Sequence, residues 1–132
     1  MTAATLPRSF DDGVLHVERD TARLVGGWCP DCRKAAFPLT PVCPRCGAGT
    51  RRRLLAAHGV VYARAIINAP VTIYPAPTTI VQVDIDCVRV GGMLRNGDGR
   101  IGATVTIAPL VMDSSGEQVT AYCFDQQDPP DA

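Results

Sequence analysis

The stretch WCPDCRKAAFPLTPVCPRCG, residues 28–47, decides how this chain begins to fold. It holds two knuckles, Cys29-Pro30-Asp31-Cys32 and Cys43-Pro44-Arg45-Cys46, with ten residues between them. A tetrahedral metal ion needs four soft donors converging on one point, and two C-x-x-C turns supply them with little backbone strain. Two disulfides or four unrelated buried thiols are the competing readings. Both fit less well, because cysteines within one knuckle make poor structural disulfides and the chain shows no mark of secretion. The expectation is one structural zinc on Cys29, Cys32, Cys43 and Cys46, with no open position for chemistry. This is a rubredoxin-like zinc ribbon.

On the N-terminal side, Val14 to Glu18 and Leu24 to Trp28 read as strands flanking Arg19-Asp20-Thr21-Ala22, a hairpin that feeds the first knuckle. Gly26, Gly27 and Gly47 suit turns with positive φ. Trp28 and Phe37-Pro38 are expected to pack over the metal site, since a ribbon of this size has almost no other core.

After Arg53 the pattern turns steadily to β. Gly59 to Asn68 is rich in β-branched residues. From Ile80 to Val90, Val81, Val83, Ile85 and Cys87 alternate with Gln82, Asp84 and Asp86, the period of a half-buried strand. Gly91-Gly92 reads as a turn into a short strand Met93-Leu94-Arg95, and Asn96-Gly97-Asp98-Gly99 as another turn. Ala103 to Met112 and Glu117 to Asp125 complete five strands, joined by Asp113-Ser114-Ser115-Gly116. Five short strands in so few residues fit a closed barrel, which removes exposed edges. The predicted fold is mostly β: zinc ribbon with N-terminal hairpin over residues 1–53, then a five-stranded OB-fold barrel over 54–132 with a disordered C-terminal tail. A small sandwich is the alternative to the barrel.

Formal charge is zero over 132 residues but unevenly placed. Residues 23–53 carry seven basic side chains against Asp31 alone, whereas residues 54–132 carry four arginines against eight acids. Met1 to Arg8 lacks the basic start and apolar run of a signal peptide, and no apolar stretch approaches the ~20 residues of a membrane span. The expectation is a soluble cytoplasmic protein, where reduced thiols favour zinc.

No catalytic residue is predicted. His16 and His58 lie in separate segments, the glycine-rich stretches look like hairpin turns, and Cys87 and Cys123 fall on inward strand faces as inert thiols. Asp84 and Asp86 read as outward charges on one strand. Nucleic-acid binding by a ribbon and an OB-fold is the runner-up function. It is disfavoured because the barrel half is acidic and its aromatics lack interleaved cations.

One segment stands out. Residues 68–78, Asn68-Ala69-Pro70-Val71-Thr72-Ile73-Tyr74-Pro75-Ala76-Pro77-Thr78, carry three prolines along with Val71, Ile73 and Tyr74. Proline lowers the entropy cost of ordering, so such a loop can present apolar groups to a partner. Folding back as a lid on the barrel is the equal alternative.

Taken in order, these motifs resemble the zinc-ribbon/OB-fold domain-of-unknown-function family number thirty-five. The resemblance covers about residues 22 to 125: Arg23-Leu24-Val25-Gly26, Phe37-Pro38, Cys43-Pro44-Arg45-Cys46-Gly47, Gly59-Val60-Val61-Tyr62, Tyr74-Pro75-Ala76-Pro77 ahead of Thr79-Ile80-Val81-Gln82-Val83-Asp84, Ile101-Gly102-Ala103-Thr104-Val105, and Tyr122-Cys123-Phe124. It departs at Arg33, where the family usually has glycine, and at residues 14–28, a hairpin where many members carry a helix. The resemblance implies a non-catalytic accessory subunit in a hetero-oligomer with a thiolase-fold enzyme (thiolase, acyltransferase or lipid-transfer-type aldolase) that handles acyl-CoA thioesters. Arg51, Arg52 and Arg53 become candidate contacts to CoA phosphates, with a solvated strand as the equal alternative. Val71, Ile73 and Tyr74 become candidate partner anchors.

Overall fold

A computed structural model describes residues 5–69 and 77–127 as strands and turns, without a helix. Accordingly, no helix among them is long and apolar enough to cross a membrane. The ribbon is a sheet of four short strands: β1 (Leu15–Glu18), β2 (Thr21–Cys29), β3 (Lys34–Ala36) and β4 (Arg51–Leu54). β2 is its centre and pairs antiparallel with the other three. The expected hairpin forms, with Glu18 opposite Thr21 and Leu15 opposite Leu24. Arg19 takes φ 57° in its turn.

Five further strands make the barrel: β5 (His58–Ile67), β6 (Thr78–Ile85), β7 (Val88–Asn96), β8 (Thr104–Ser114) and β9 (Glu117–Gln126). The ring runs β5-β6-β7-β9-β8 and closes where β8 pairs with β5. Its one parallel seam, β7 against β9, is held through Leu94–Phe124 and Asn96–Asp125. This order, with the third strand beside the fifth, is that of an OB-fold. Alternation of apolar and polar residues puts Val61, Val81, Val83, Ile85, Val90 and Val105 inside, each at most 1% exposed. Gln82 and Asp84 face solvent.

Three expectations about turns change in the structure. The β6–β7 turn falls at Asp86-Cys87, with φ 46° and 72°, so the alternation stops at Ile85 and Cys87 is exposed, not buried. Gly91-Gly92 lies within β7, opposite Gln82 and Val81, and makes no turn. Gly26 and Gly27 are likewise strand residues of β2 without positive φ. Gly26 is needed for a close approach: an added Cβ would stand 2.8 Å from the carbonyl oxygen of Ala36.

Ribbon and barrel share one hydrophobic cluster in which Leu15, Leu24 and Leu55 meet Val83, Ile85 and Ile107. The N-terminal segment adds a strap that sequence periodicity did not show. Ser9 bridges Thr120 of β9, the Phe10 N–H donates to the Thr120 carbonyl (2.9 Å), and Arg8 forks onto Glu117 with two contacts of 2.9 Å.

Candidate metal centre

Both knuckles are built alike. Each first cysteine accepts at its carbonyl a hydrogen bond from the residue four places on, Arg33 to Cys29 at 2.8 Å and Gly47 to Cys43 at 2.9 Å. Those two residues are left-handed, φ 56° at Arg33 and 79° at Gly47. Arg33 therefore keeps the turn geometry that glycine would supply, at some steric cost. Backbone N–H groups of Cys32 and Arg45 point at the sulfurs of Cys29 and Cys43, each at 3.4 Å. β2 and β3 hold the first knuckle, and the Val42–Gly49 bridge holds the second.

The turns bring the four Sγ atoms within 4.8 Å of one another. Cys29 and Cys46 stand 3.6 Å apart and Cys32 and Cys43 3.9 Å apart. Tetrahedral ligation at ~2.3 Å per sulfur requires edges of about 3.8 Å, so the geometry accepts a metal ion of that kind. Backbone N–H groups of Cys46 and Arg45 draw the Cys43 thiol down to about 6. Hydrogen bonding to Cys46, together with burial, pushes Cys32 up to about 12. Four thiolates cannot share this space without a cation to offset their charge.

Phe37 lines a cleft beside Cys29 and Cys43, as expected of it. Trp28 turns the other way, into a hollow with Leu55, Asp86 and Cys87, where the Arg53 guanidinium lies 4.3 Å from its ring centroid.

The arginine triplet forms β4, where strand alternation separates Arg52 from its two neighbours. Arg53 is engaged with Trp28, and Arg52 Nη2 lies 3.2 Å from His16 Nδ1. All three are exposed. Cys123 is buried, and its thiol is pushed up chiefly by desolvation. Asp84 holds Arg89 at 2.7 Å, while Asp86 accepts from the Ala56 backbone, so the two acids serve different contacts. Val71, Ile73 and Tyr74 lie outside the described residues. β5, which ends at Ile67, exposes Val60, Tyr62 and Ile66, with Arg89 stacked 3.4 Å over the Tyr62 ring.

Among solved structures, an "Ltp2-ChsH2(DUF35) aldolase" chain is similar over 79% of this chain and 84% of its own length, with a TM-score of 0.65 and 24% identity. The chain has the DUF35 fold. A second DUF35 protein, of unknown function from Sulfolobus solfataricus, is similar over 64% of this chain and 67% of its own, with a TM-score of 0.52 and 16% identity. No family profile and no curated protein matches the sequence. Within the DUF35 fold, the clustered cysteines are the one donor group of three or more metal-ligating side chains found among the described residues.

Proposed function

We propose that this chain is a non-catalytic accessory subunit that binds a thiolase-fold enzyme in the cytoplasm and helps it handle acyl-CoA thioesters. The observation that carries the reading is the structural likeness to a DUF35 chain belonging to an aldolase that pairs it with Ltp2. The chemistry of the described residues supports it. The buried Cys123 has a suppressed thiolate, and His16 is engaged with Glu18 and Arg52. In this reading Cys29, Cys32, Cys43 and Cys46 hold one structural zinc, which ties the two knuckles together. Residues 1–53 form the ribbon unit and 54–132 the barrel unit.

Val71, Ile73 and Tyr74 are the proposed anchors, and β5 exposes Val60, Tyr62 and Ile66 as further apolar groups. Buried aromatic and aliphatic groups dominate the energetics of such interfaces. Arg51, Arg52 and Arg53 are the proposed contacts to CoA phosphate.

Copurification from the native host with mass identification tests the partnership. A thiolase-fold enzyme should be recovered in stoichiometric amount, and Tyr74→Ala should weaken its binding at least tenfold. Arg52→Glu should lower CoA-thioester affinity of the complex at low salt and have little effect at high salt. Turnover of an acyl-CoA by the chain alone, or tight salt-sensitive binding of single-stranded nucleic acid without any enzyme partner, would overturn the reading.

A further inference from the structure

The outer edge of β4 is an open side of the ribbon sheet. In an antiparallel ladder, residues alternate between pairs that exchange backbone hydrogen bonds and pairs that do not. The Leu55 N–H donates to the Leu24 carbonyl at 2.9 Å. The register then runs through Gly26 opposite Arg53 and Trp28 opposite Arg51. Arg53 and Arg51 therefore turn their backbone groups toward β2, while Arg52 and Leu54 turn theirs to the outer edge. Among the described residues β4 pairs with β2 alone. The edge is closed at its start, where the Thr50 N–H donates to the Pro41 carbonyl at 3.2 Å. Residues 51–54 remain open, a length of about 13 Å.

Charge along this edge selects what can add to it. An unpaired strand edge is a template for another chain, and charged side chains are a common protection. Here the charge has one sign. Arg51, Arg52 and Arg53 are exposed, and among the described residues none of them forms an ion pair with a carboxylate. Residues 23–53 contain Asp31 as their one acid. Like charges directly opposite each other destabilise a strand pair, which disfavours a second copy of β4. Carboxylates at the same positions are attracted. Arg51 and Arg53 share one face and Arg52 takes the other, so meeting all three requires three consecutive acids. The half-buried Leu54 calls for an apolar residue next to them.

We propose that β4 is a docking edge for an extended acidic peptide. The peptide runs antiparallel to β4, with an apolar residue against Leu54 and three carboxylates against Arg53, Arg52 and Arg51. Antiparallel is the sense in which β2 pairs with β4 and in which Val42 bridges Gly49 just ahead of it. In strand addition, main-chain hydrogen bonds give affinity and side chains give specificity. Arg52 and Leu54 provide the first here, and the three guanidinium groups the second. The inference does not depend on the acyl-CoA role.

Fluorescence anisotropy of a labelled acetyl-Thr-Val-Glu-Glu-Glu-amide peptide, titrated with the full zinc-bound chain, tests this. In the pairing above, the valine and the middle glutamate point their N–H groups at β4, whereas the first and last glutamates point theirs away. N-methylation of the middle glutamate should weaken binding about tenfold, and N-methylation of the first glutamate less than about twofold. Arg51→Glu should weaken binding about fivefold at low salt. A peptide with lysine in place of each glutamate should not bind. Equal loss from the two N-methylations would overturn the proposal, because attraction between charges alone has no such alternation. Absence of saturable binding up to about 1 mM peptide would overturn it as well, leaving the arginines as protection of a bare edge. Tighter binding of a single-stranded oligonucleotide of equal charge, in competition with the peptide, would assign the edge to nucleic acid instead.

Discussion

The carboxylate of Asp86 accepts a hydrogen bond from the backbone N–H of Ala56 at 2.7 Å, joining the β6–β7 turn to the connector between ribbon and barrel. From the other side, Arg23 donates to the Leu55 carbonyl through Nε (2.8 Å) and Nη2 (2.5 Å). The connector is thus fastened to both units. Asp86 also sits at φ 46°, a region that asparagine and aspartate tolerate better than other side chains. Asp86→Asn should therefore be nearly neutral, whereas Asp86→Ala should cost ~1–3 kcal/mol by losing both the acceptor and the turn preference. Urea midpoints of the two variants check this.

Metal content gives the most direct test of the knuckles. The purified chain should contain one zinc, and Cys43→Ser should lose it along with the ribbon's fold, because binding energy at such a site is folding energy. Elemental analysis beside a thermal melt reads both effects. Full stability in a metal-free chain would reject the site.

Core packing gives a single sharp test. Ile85 is 1% exposed, and Ile85→Ala should cost ~2–5 kcal/mol through the cavity it leaves.

Two glycines should respond very differently to alanine. A Cβ at Gly59 would stand 2.4 Å from the Asp84 carbonyl and 2.6 Å from Ile85 Cγ1, whereas one at Gly49 would meet nothing within 4 Å. Gly59→Ala should lose ~1–3 kcal/mol or more. Gly49→Ala should stay within about 0.5 kcal/mol of the parent. Chemical denaturation separates the two.

The hydrogen bond and charge of Arg8 hold the Glu117 carboxyl below its usual value, and the Arg89 hydrogen bond does the same for Asp84. A carboxyl depressed on folding contributes stability above its unfolded pKa, ~4 for these groups. That contribution is lost as pH falls through the folded value. The doubly substituted Asp84→Asn, Glu117→Gln chain should therefore show a shallower loss of stability between about pH 4.5 and 2. Both pairs are about half exposed, so the difference should be small and should shrink further in salt. Urea midpoints across that range measure it.

The legible parts of this chain were those governed by local rules. The cysteine spacing located the metal-ligand group, and the alternation at Val81, Val83 and Ile85 located a barrel wall. Turns with positive φ were found where glycine supplies it, at Gly47, Gly97, Gly99 and Gly116. Misreadings occurred where one residue type serves two purposes. Gly26 and Gly91-Gly92 have the composition of turns, but they sit in strands. At Gly26 and Gly92 a side chain would collide with neighbours distant in sequence. The β6–β7 turn uses Asp86-Cys87 in left-handed conformations, so no glycine or asparagine announces it and the alternation alone would place Cys87 inside. Trp28 and Cys29 are consecutive in β2, so alternation sets Trp28 on the face away from the knuckles, where Arg53 of β4 stacks on it.

The strap formed by Arg8, Ser9 and Phe10 bears on the order of assembly. Its contacts, Glu117 and Thr120, belong to the last strand, and Arg8 and Glu117 are 109 positions apart. During synthesis the knuckles can close as soon as Cys46 and its strand neighbours emerge, because every partner they need lies nearby in sequence. The strap has no such local partner. Until β9 leaves the ribosome, Arg8, Ser9 and Phe10 must wait for these partners, so the strap can fasten only after the barrel's last described strand has been made.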